Sequence, residues 1–144
     1  MADNKVCELE CNVDDMTAEE MSYALQRLMA AGAKDVFVTP VAMKKSRQGT
    51  LLTVVCGEED RDRMIEQIFR FTSTIGIRET ICRRYVLDRE SEVLATPYGE
   101  VRIKTSKGYG VTRAKIEFDD LARIADEHDV SIAEARRMVE DYLK

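Results

Sequence analysis

The chain has 144 residues, 44% hydrophobic and 34% charged, with a net charge of −5, seven glycines and two prolines. That is enough apolar material for one domain with a real core, or a domain plus a small appendage, and too much for a disordered chain. The acidic balance argues against sequence-independent nucleic-acid binding, no apolar run is long enough to span a bilayer, and no signal peptide opens the chain, so the expected setting is cytoplasmic, without nucleic acid or membrane as partner.

Residues 6–12 alternate Val6, Glu8, Glu10 and Asn12 against Cys7, Leu9 and Cys11, the period of a strand. The strand runs into Asp14 and Asp15 and then into a helix over 17–31, with Met21, Ala24, Leu25, Leu28 and Met29 as its apolar stripe and Gly32 as its stop. A second strand spans Asp35 to Met43, and Pro40 suits a sheet edge. The basic run Lys44–Gly49 reads as a turn closing a hairpin onto a third, nearly all-apolar strand, Thr50–Cys56. A second helix spans Glu58–Phe71, with Met64, Ile65, Ile68 and Phe69 facing inward, and a fourth strand spans Ile77–Leu87.

The order β-α-β-β-α-β over 6–87 predicts an α+β fold of the ferredoxin-like, split βαβ type, with strands side by side as 4-1-3-2 and alternating in direction. The rest, 88–144, reads as a separate β-hairpin plus two-helix unit: Val93–Ala95, a turn at Thr96–Gly99, Val101–Lys104, a further strand over 109–116, and helices over 118–128 and 131–142. Ser131 with Glu134 forms a capping box there, and Val130 is placed to staple it. The four cysteines show no C-x-x-C spacing and read as free thiols inside strands, with a soft-metal cluster as the lesser alternative. The single histidine, His128, reads as a surface helix residue.

The split βαβ topology brings three polar segments to one rim of the sheet: Asp14 and Asp15; Lys44, Lys45 and Arg47; and Thr72, Ser73, Thr74 and Arg78. Two simple explanations compete with a site. Asp14, Asp15 or Thr17 can cap the first helix, since Thr17-Ala18-Glu19-Glu20 is a capping box, but a cap uses only one or two of these polar residues. Carboxylates and cations can also pair on the surface to little effect. The functional reading is a nucleoside triphosphate with a magnesium ion. Lys44, Lys45 and Arg47 would neutralise phosphate oxygens, Asp14 and Asp15 would hold the ion directly or through waters, and the hydroxyls of Thr72 and Thr74 would donate. The ion makes two aspartates attractive to a phosphate that they would otherwise repel from the helix N-terminus. No glycine-rich phosphate loop is present, so a nucleotide site must be of another design.

Asn12-Val13-Asp14-Asp15-Met16-Thr17, Met43-Lys44-Lys45-Ser46-Arg47, Thr72-Ser73-Thr74-Ile75-Gly76-Ile77-Arg78, Thr96–Lys104 and Lys115–Asp120, occurring in this order, closely resemble the C-terminal part of the nickel insertion proteins called LarC. The resemblance covers about Glu8 to Val139. It implies a CTP-dependent nickel chelatase, or cyclometallase, that places nickel into pyridinium-3,5-bisthiocarboxylic acid mononucleotide to complete the nickel-pincer cofactor of lactate racemase. It implies that this part binds CTP with Mg²⁺ (or Mn²⁺) and drives assembly into a homo-oligomer, a trimer or hexamer. Asp14 and Asp15 match the family's acidic pair; Lys44, Lys45 and Arg47 its basic turn, where the family often has Asn in place of Ser46; and Thr72, Thr74 and Arg78 its third string. The family normally carries a larger N-terminal region expected to hold nickel-binding histidines. The expectation is therefore a C-terminal part whose partner is that region or a separate N-terminal subunit, with no nickel ligands evident here. The rival readings are a non-catalytic regulatory module that binds a small effector without a divalent ion, and a purely structural oligomerisation domain that pairs through an edge strand.

Overall fold

The computed structural model describes residues 4–144 as two compact units, one ending at Tyr85 and one beginning at Val86. The N-terminal unit is a four-stranded antiparallel sheet with two helices on one face. Its elements are β1 (Lys5–Val13), α1 (Ala18–Ala30), β2 (Asp35–Met43), β3 (Arg47–Cys56), α2 (Arg61–Phe71) and β4 (Arg78–Arg83), in the sheet order β2-β3-β1-β4. This is the ferredoxin-like order expected from the sequence, with β2, which carries Pro40, at an edge and β3 in the interior.

The alternation of β1 divides the sheet cleanly. Cys7, Leu9, Cys11 and Val13 face the helices beside Leu52, Val54 and Cys56 of β3, and Met21, Leu28, Met64 and Ile68 close the core above them. Glu8, Glu10 and Asn12 lie on the other face, opposite Val55, Thr53 and Leu51. Thr17 caps α1: its hydroxyl accepts from the Glu20 N–H at 3.1 Å and the Glu20 carboxylate accepts from the Thr17 N–H at 3.0 Å.

Two details of the inward faces differ from expectation. Met29 is 48% and Phe69 45% exposed, because each sits on the shoulder of its apolar stripe, where helical drift turns it out of the sheet-facing arc. The basic turn is also shorter than 44–49. Strand β3 begins at Arg47, and Arg47, Gln48 and Gly49 pair with Met43, Ala42 and Val41. Gly49 permits this close pairing, since a Cβ there would lie 2.9 Å from the Val13 carbonyl oxygen.

The C-terminal unit is a three-stranded antiparallel sheet, β5 (Asp88–Thr96), β6 (Gly99–Gly108) and β7 (Val111–Ile116), with helices α3 (Phe118–His128) and α4 (Ile132–Leu143). Its core is Val101, Ile103, Leu121, Ile124, Ala125, Ala135 and Val139. Strand β4 stops at Arg83 rather than Leu87, and β5 starts five residues before Val93. The run Asp88–Glu92 is exposed on both sides, so its strand carries no alternation to read. The turn between β6 and β7 is Tyr109–Gly110, both with positive φ, which splits the strand expected over 109–116 from its hairpin partner. Ser131 and Glu134 form the expected capping box on α4, and Val130 packs against the core. His128 is the exposed last residue of α3, edge-on to Tyr98. No helix among the described residues is long and apolar enough to cross a membrane.

Candidate functional site

The end of β1, the β2–β3 turn and the loop before β4 meet at one edge of the N-terminal sheet. Arg47 Nη1 lies 3.5 Å from Asp14 Oδ2. The Ser73 hydroxyl donates to Asp15 Oδ1. Arg78 Nη2 donates to Asn12 Oδ1 at 2.7 Å and lies 3.8 Å from Glu10 Oε2. Thr17 already caps α1, so Asp14 and Asp15 are not needed there. One reaches toward the basic turn and the other toward the loop after α2.

Lys44 and Lys45 are exposed and form no ion pair among the described residues. Lys45 has φ 60° and Ser46 φ 57°, the left-handed region that side chains other than glycine and asparagine avoid. Two such residues in succession hold the basic turn in a strained, defined shape.

The loop after α2 is tied down by its own hydroxyls. Thr72 Oγ1 donates to the Ile68 carbonyl at 2.8 Å and accepts from the Thr74 N–H at 3.3 Å, while Thr74 Oγ1 donates to the Gly76 carbonyl at 2.8 Å. Both threonine hydroxyls thus bond the backbone of the loop, Thr74 also meeting the Cys11 thiol, and the hydroxyl bonded to the acidic pair belongs to Ser73. The tip, Ile75, is fully exposed.

The rim therefore links Asp14 to Arg47, Asp15 to Ser73 and Arg78 to Asn12, with Lys44 and Lys45 adjoining on the turn, while Thr72 and Thr74 shape the loop. Among the described residues no three of His, Cys, Asp and Glu cluster so as to hold a metal ion. Two neighbouring carboxylates suit a hard ion such as Mg²⁺, which completes its shell with phosphate oxygens and water, better than they suit an all-protein cage. Below the rim, Cys7, Cys11 and Cys56 are buried thiols. The Cys7 thiol is pushed up to about 12 by burial first, and then by its hydrogen bond to Glu79 at 3.4 Å.

Three residues beside the rim were not singled out by sequence reasoning: Tyr23, Arg70 and Phe71, which with Met16, Glu19 and Glu20 line a cavity of about 420 Å³. Tyr23 lies off the apolar stripe of α1 yet is aromatic, and that mismatch was the available signal.

The family model described as "Nickel insertion protein" matches residues 1–136. The pyridinium-3,5-bisthiocarboxylic acid mononucleotide nickel insertion protein of Acetivibrio thermocellus is 40% identical over 131 residues, 91% of this chain and 32% of that protein. Its namesake from Alkaliphilus metalliredigens is 41% identical over 125 residues, 87% of this chain and 30% of that protein. Among solved structures, the apo form of LarC2, the C-terminal domain of a cyclometallase involved in synthesis of the NPN cofactor of lactate racemase, is similar with TM-score 0.88 and 33% identity, covering 96% of each chain. The chain belongs to the nickel insertion protein family. It spans about a third of the length of the two full-length relatives.

Proposed function

We propose that the rim of the N-terminal unit binds CTP with Mg²⁺ (or Mn²⁺), and that the chain is the nucleotide-binding, oligomerising part of a CTP-dependent nickel chelatase. The whole assembly would place nickel, its substrate ion, into pyridinium-3,5-bisthiocarboxylic acid mononucleotide. The observation that carries this reading is the meeting of Asp14 with Arg47 at 3.5 Å and of Asp15 with Ser73, beside Lys44 and Lys45 and away from the Thr17 cap. Lys44, Lys45 and Arg47 take phosphate oxygens, Arg47 in bidentate fashion. Asp14 and Asp15 hold the ion, which neutralises phosphate charge when bound. Arg78, fixed by Asn12, adds a further cation, and Thr72 and Thr74 present the loop whose Ser73 reaches the site. A separate or fused N-terminal part supplies the nickel ligands. Exposed apolar residues on both edge strands, Phe37 and Val38 on β2 and Ile81 on β4, support self-assembly into a trimer or hexamer.

The test is calorimetric titration of the chain with CTP, with and without Mg²⁺, against a variant carrying Asp14→Asn and Asp15→Asn. The wild type binds only with the ion, and the double variant, folded by circular dichroism, loses ion-dependent binding. Affinity unchanged in the variant removes the acidic pair from the site. Binding indifferent to Mg²⁺ favours an effector-binding module instead.

A further inference from the structure

Within the C-terminal unit, a cavity of about 430 Å³ opens between the edge strand β7 and helix α4. Its floor is apolar: Ile103 of β6, Ala114 and Ile116 of β7, and Leu143 of α4. Lys115, Arg136, Glu140 and Lys144 stand around it. That volume suits one small molecule, held on an apolar surface by a few polar groups.

The strand and helix patterns explain why the space is open. Ile103 pairs in register with Ile116, and Thr105 with Ala114, so Ala114 shares the core-facing side of the sheet with Ile116. Ile103 is buried there, yet Ala114 is exposed. A small residue at an inward position that the core does not cover leaves the room of a larger side chain empty. On α4 the core takes Ala135 and Val139. Arg136, Glu140 and Leu143 follow at i, i+4 and i+7, a stripe beside the core stripe, and line the cavity.

Lys115, Arg136 and Glu140 form no ion pair among the described residues, although Arg136 and Glu140 are one helical turn apart. Lys144 pairs with Asp141 at 3.1 Å. The cavity of about 410 Å³ elsewhere in this unit differs: Arg102 and Asp120 in its lining bond each other, and Arg123 donates to two carbonyls.

We propose that the cavity beside α4 binds a pyridinium mononucleotide with acidic ring substituents. This is the chemical class of the substrate in the proposed function, and the choice of ligand rests on that reading. The flat ring lies on Ile103, Ile116 and Leu143, with its cationic nitrogen facing the Glu140 carboxylate. The acidic substituents and the phosphate take Arg136 and Lys115, the guanidinium suiting a bidentate contact. A ligand with negative charge alone would be opposed by Glu140, and one with positive charge alone by Arg136 and Lys115. A ring of one sign with arms of the other satisfies all three.

The experiment is calorimetric titration of the chain with nicotinic acid mononucleotide, nicotinamide mononucleotide and orotidine monophosphate. The first has a pyridinium ring, a carboxylate and a phosphate; the second lacks the carboxylate; the third keeps carboxylate and phosphate on an uncharged ring. Wild type binds the first about tenfold tighter than either of the others, the loss of one charge-assisted contact in each case. Arg136→Gln weakens it by about tenfold, and Glu140→Gln removes its advantage over orotidine monophosphate. Ala114→Leu crowds the floor and weakens all three ligands by about tenfold or more. Ala114, Arg136 and Glu140 are exposed, so the variants keep the fold. No binding of nicotinic acid mononucleotide overturns the site, as does binding that Ala114→Leu and Arg136→Gln leave unchanged. Equal wild-type affinity for nicotinic acid mononucleotide and orotidine monophosphate overturns the pairing of Glu140 with the ring. Titration of the same samples with Mg²⁺–CTP reads the rim separately: its failure beside intact mononucleotide binding overturns the rim alone.

Discussion

The two units use the same charged residue types in opposite ways. In the C-terminal unit the charges between the sheet and α3 are closed on one another. Asp120 accepts from the Arg102 backbone N–H at 2.8 Å, from Nε at 3.1 Å and from Nη2 at 3.4 Å. Lys104 meets Glu117 at 2.6 Å, and Arg123 donates to the carbonyls of Tyr98 at 3.0 Å and Glu100 at 2.9 Å. At the rim of the N-terminal unit the ion pairs are long, 3.5 Å for Asp14–Arg47 and 3.8 Å for Glu10–Arg78, and the two lysines of the turn stand apart from them. Ionisation shows the same contrast. Burial works to raise the Asp120 pKa, but the hydrogen bonds and charge of Arg102 outweigh it and hold the carboxyl below the usual range. The hydrogen bond from Lys104 lowers Glu117 likewise. Charges that pin a sheet to a helix are satisfied within the chain, whereas the charges of the rim are left with room to change partners.

The sharpest way to break this contrast is to exchange the expected phenotypes. Asp120→Ala removes the acceptor of three hydrogen bonds and costs about 1–3 kcal/mol of stability, read as a lower denaturant midpoint, while Mg²⁺–CTP affinity stays the same. The double substitution at Asp14 and Asp15 does the reverse, because exposed pairs contribute little to folding. A folded Asp120→Ala chain that no longer binds nucleotide would place the C-terminal unit in the site and erase the distinction.

The contrast was only half legible in the sequence. Topology was readable because the alternation of β1 and the stripes of α1 and α2 are produced by burial, and burial also fixes the strand order. The convergence of Asp14, Arg47, Ser73 and Arg78 followed from that order without any knowledge of side-chain geometry. Boundaries were lost where burial leaves no pattern, as along Asp88–Glu92, or where backbone conformation decides, as at Tyr109–Gly110. Arg102, Lys104, Glu117 and Asp120 were visible only as members of the strings that resemble the LarC family, and nothing in their spacing said that they pair with each other. Tyr23 and Phe71 were missed for a related reason: each looks like an ordinary helix residue until the two helix ends are placed side by side.

The units also part company in pH. Cys7, Cys11 and Cys56 all lie in the N-terminal unit, each with its pKa raised first by burial, Cys7 to about 12 from an ordinary 9.0. A raised folded value means that the neutral thiol is favoured in the native state. That stabilisation is full below about pH 9, and it is lost between 9 and 12 as the unfolded thiol ionises first. The lowered Asp120 carboxyl acts in the other direction, its contribution present above the unfolded carboxylate pKa and lost as acid protonates it. Urea unfolding of the N-terminal unit should weaken with rising alkaline pH by roughly 1 kcal/mol per pH unit for each thiol that ionises. Cys7→Ala should flatten that dependence, and an identical slope in the variant would show that Cys7 does not set it.

The smallest expected effect tests whether the basic turn is shaped for its ligand. Ser46 sits at φ 57° directly after Lys45 at φ 60°. Asparagine tolerates this region better than serine, because its short amide bonds to the local backbone. Ser46→Asn should therefore raise stability by about 0.5 kcal/mol, and Ser46→Val should lower it by about 1–2 kcal/mol, since a branched Cβ crowds the carbonyl in the left-handed region. If the strain serves only to close the hairpin, the two substitutions move stability and leave CTP affinity alone. If the turn holds Lys44, Lys45 and Arg47 around phosphate, the valine variant loses affinity as well, under conditions where it remains fully folded. A loss of affinity confined to Ser46→Val, measured beside Asp120→Ala with affinity intact, would show that the open charges of the rim depend on a strained backbone, as the closed charges of the C-terminal unit do not.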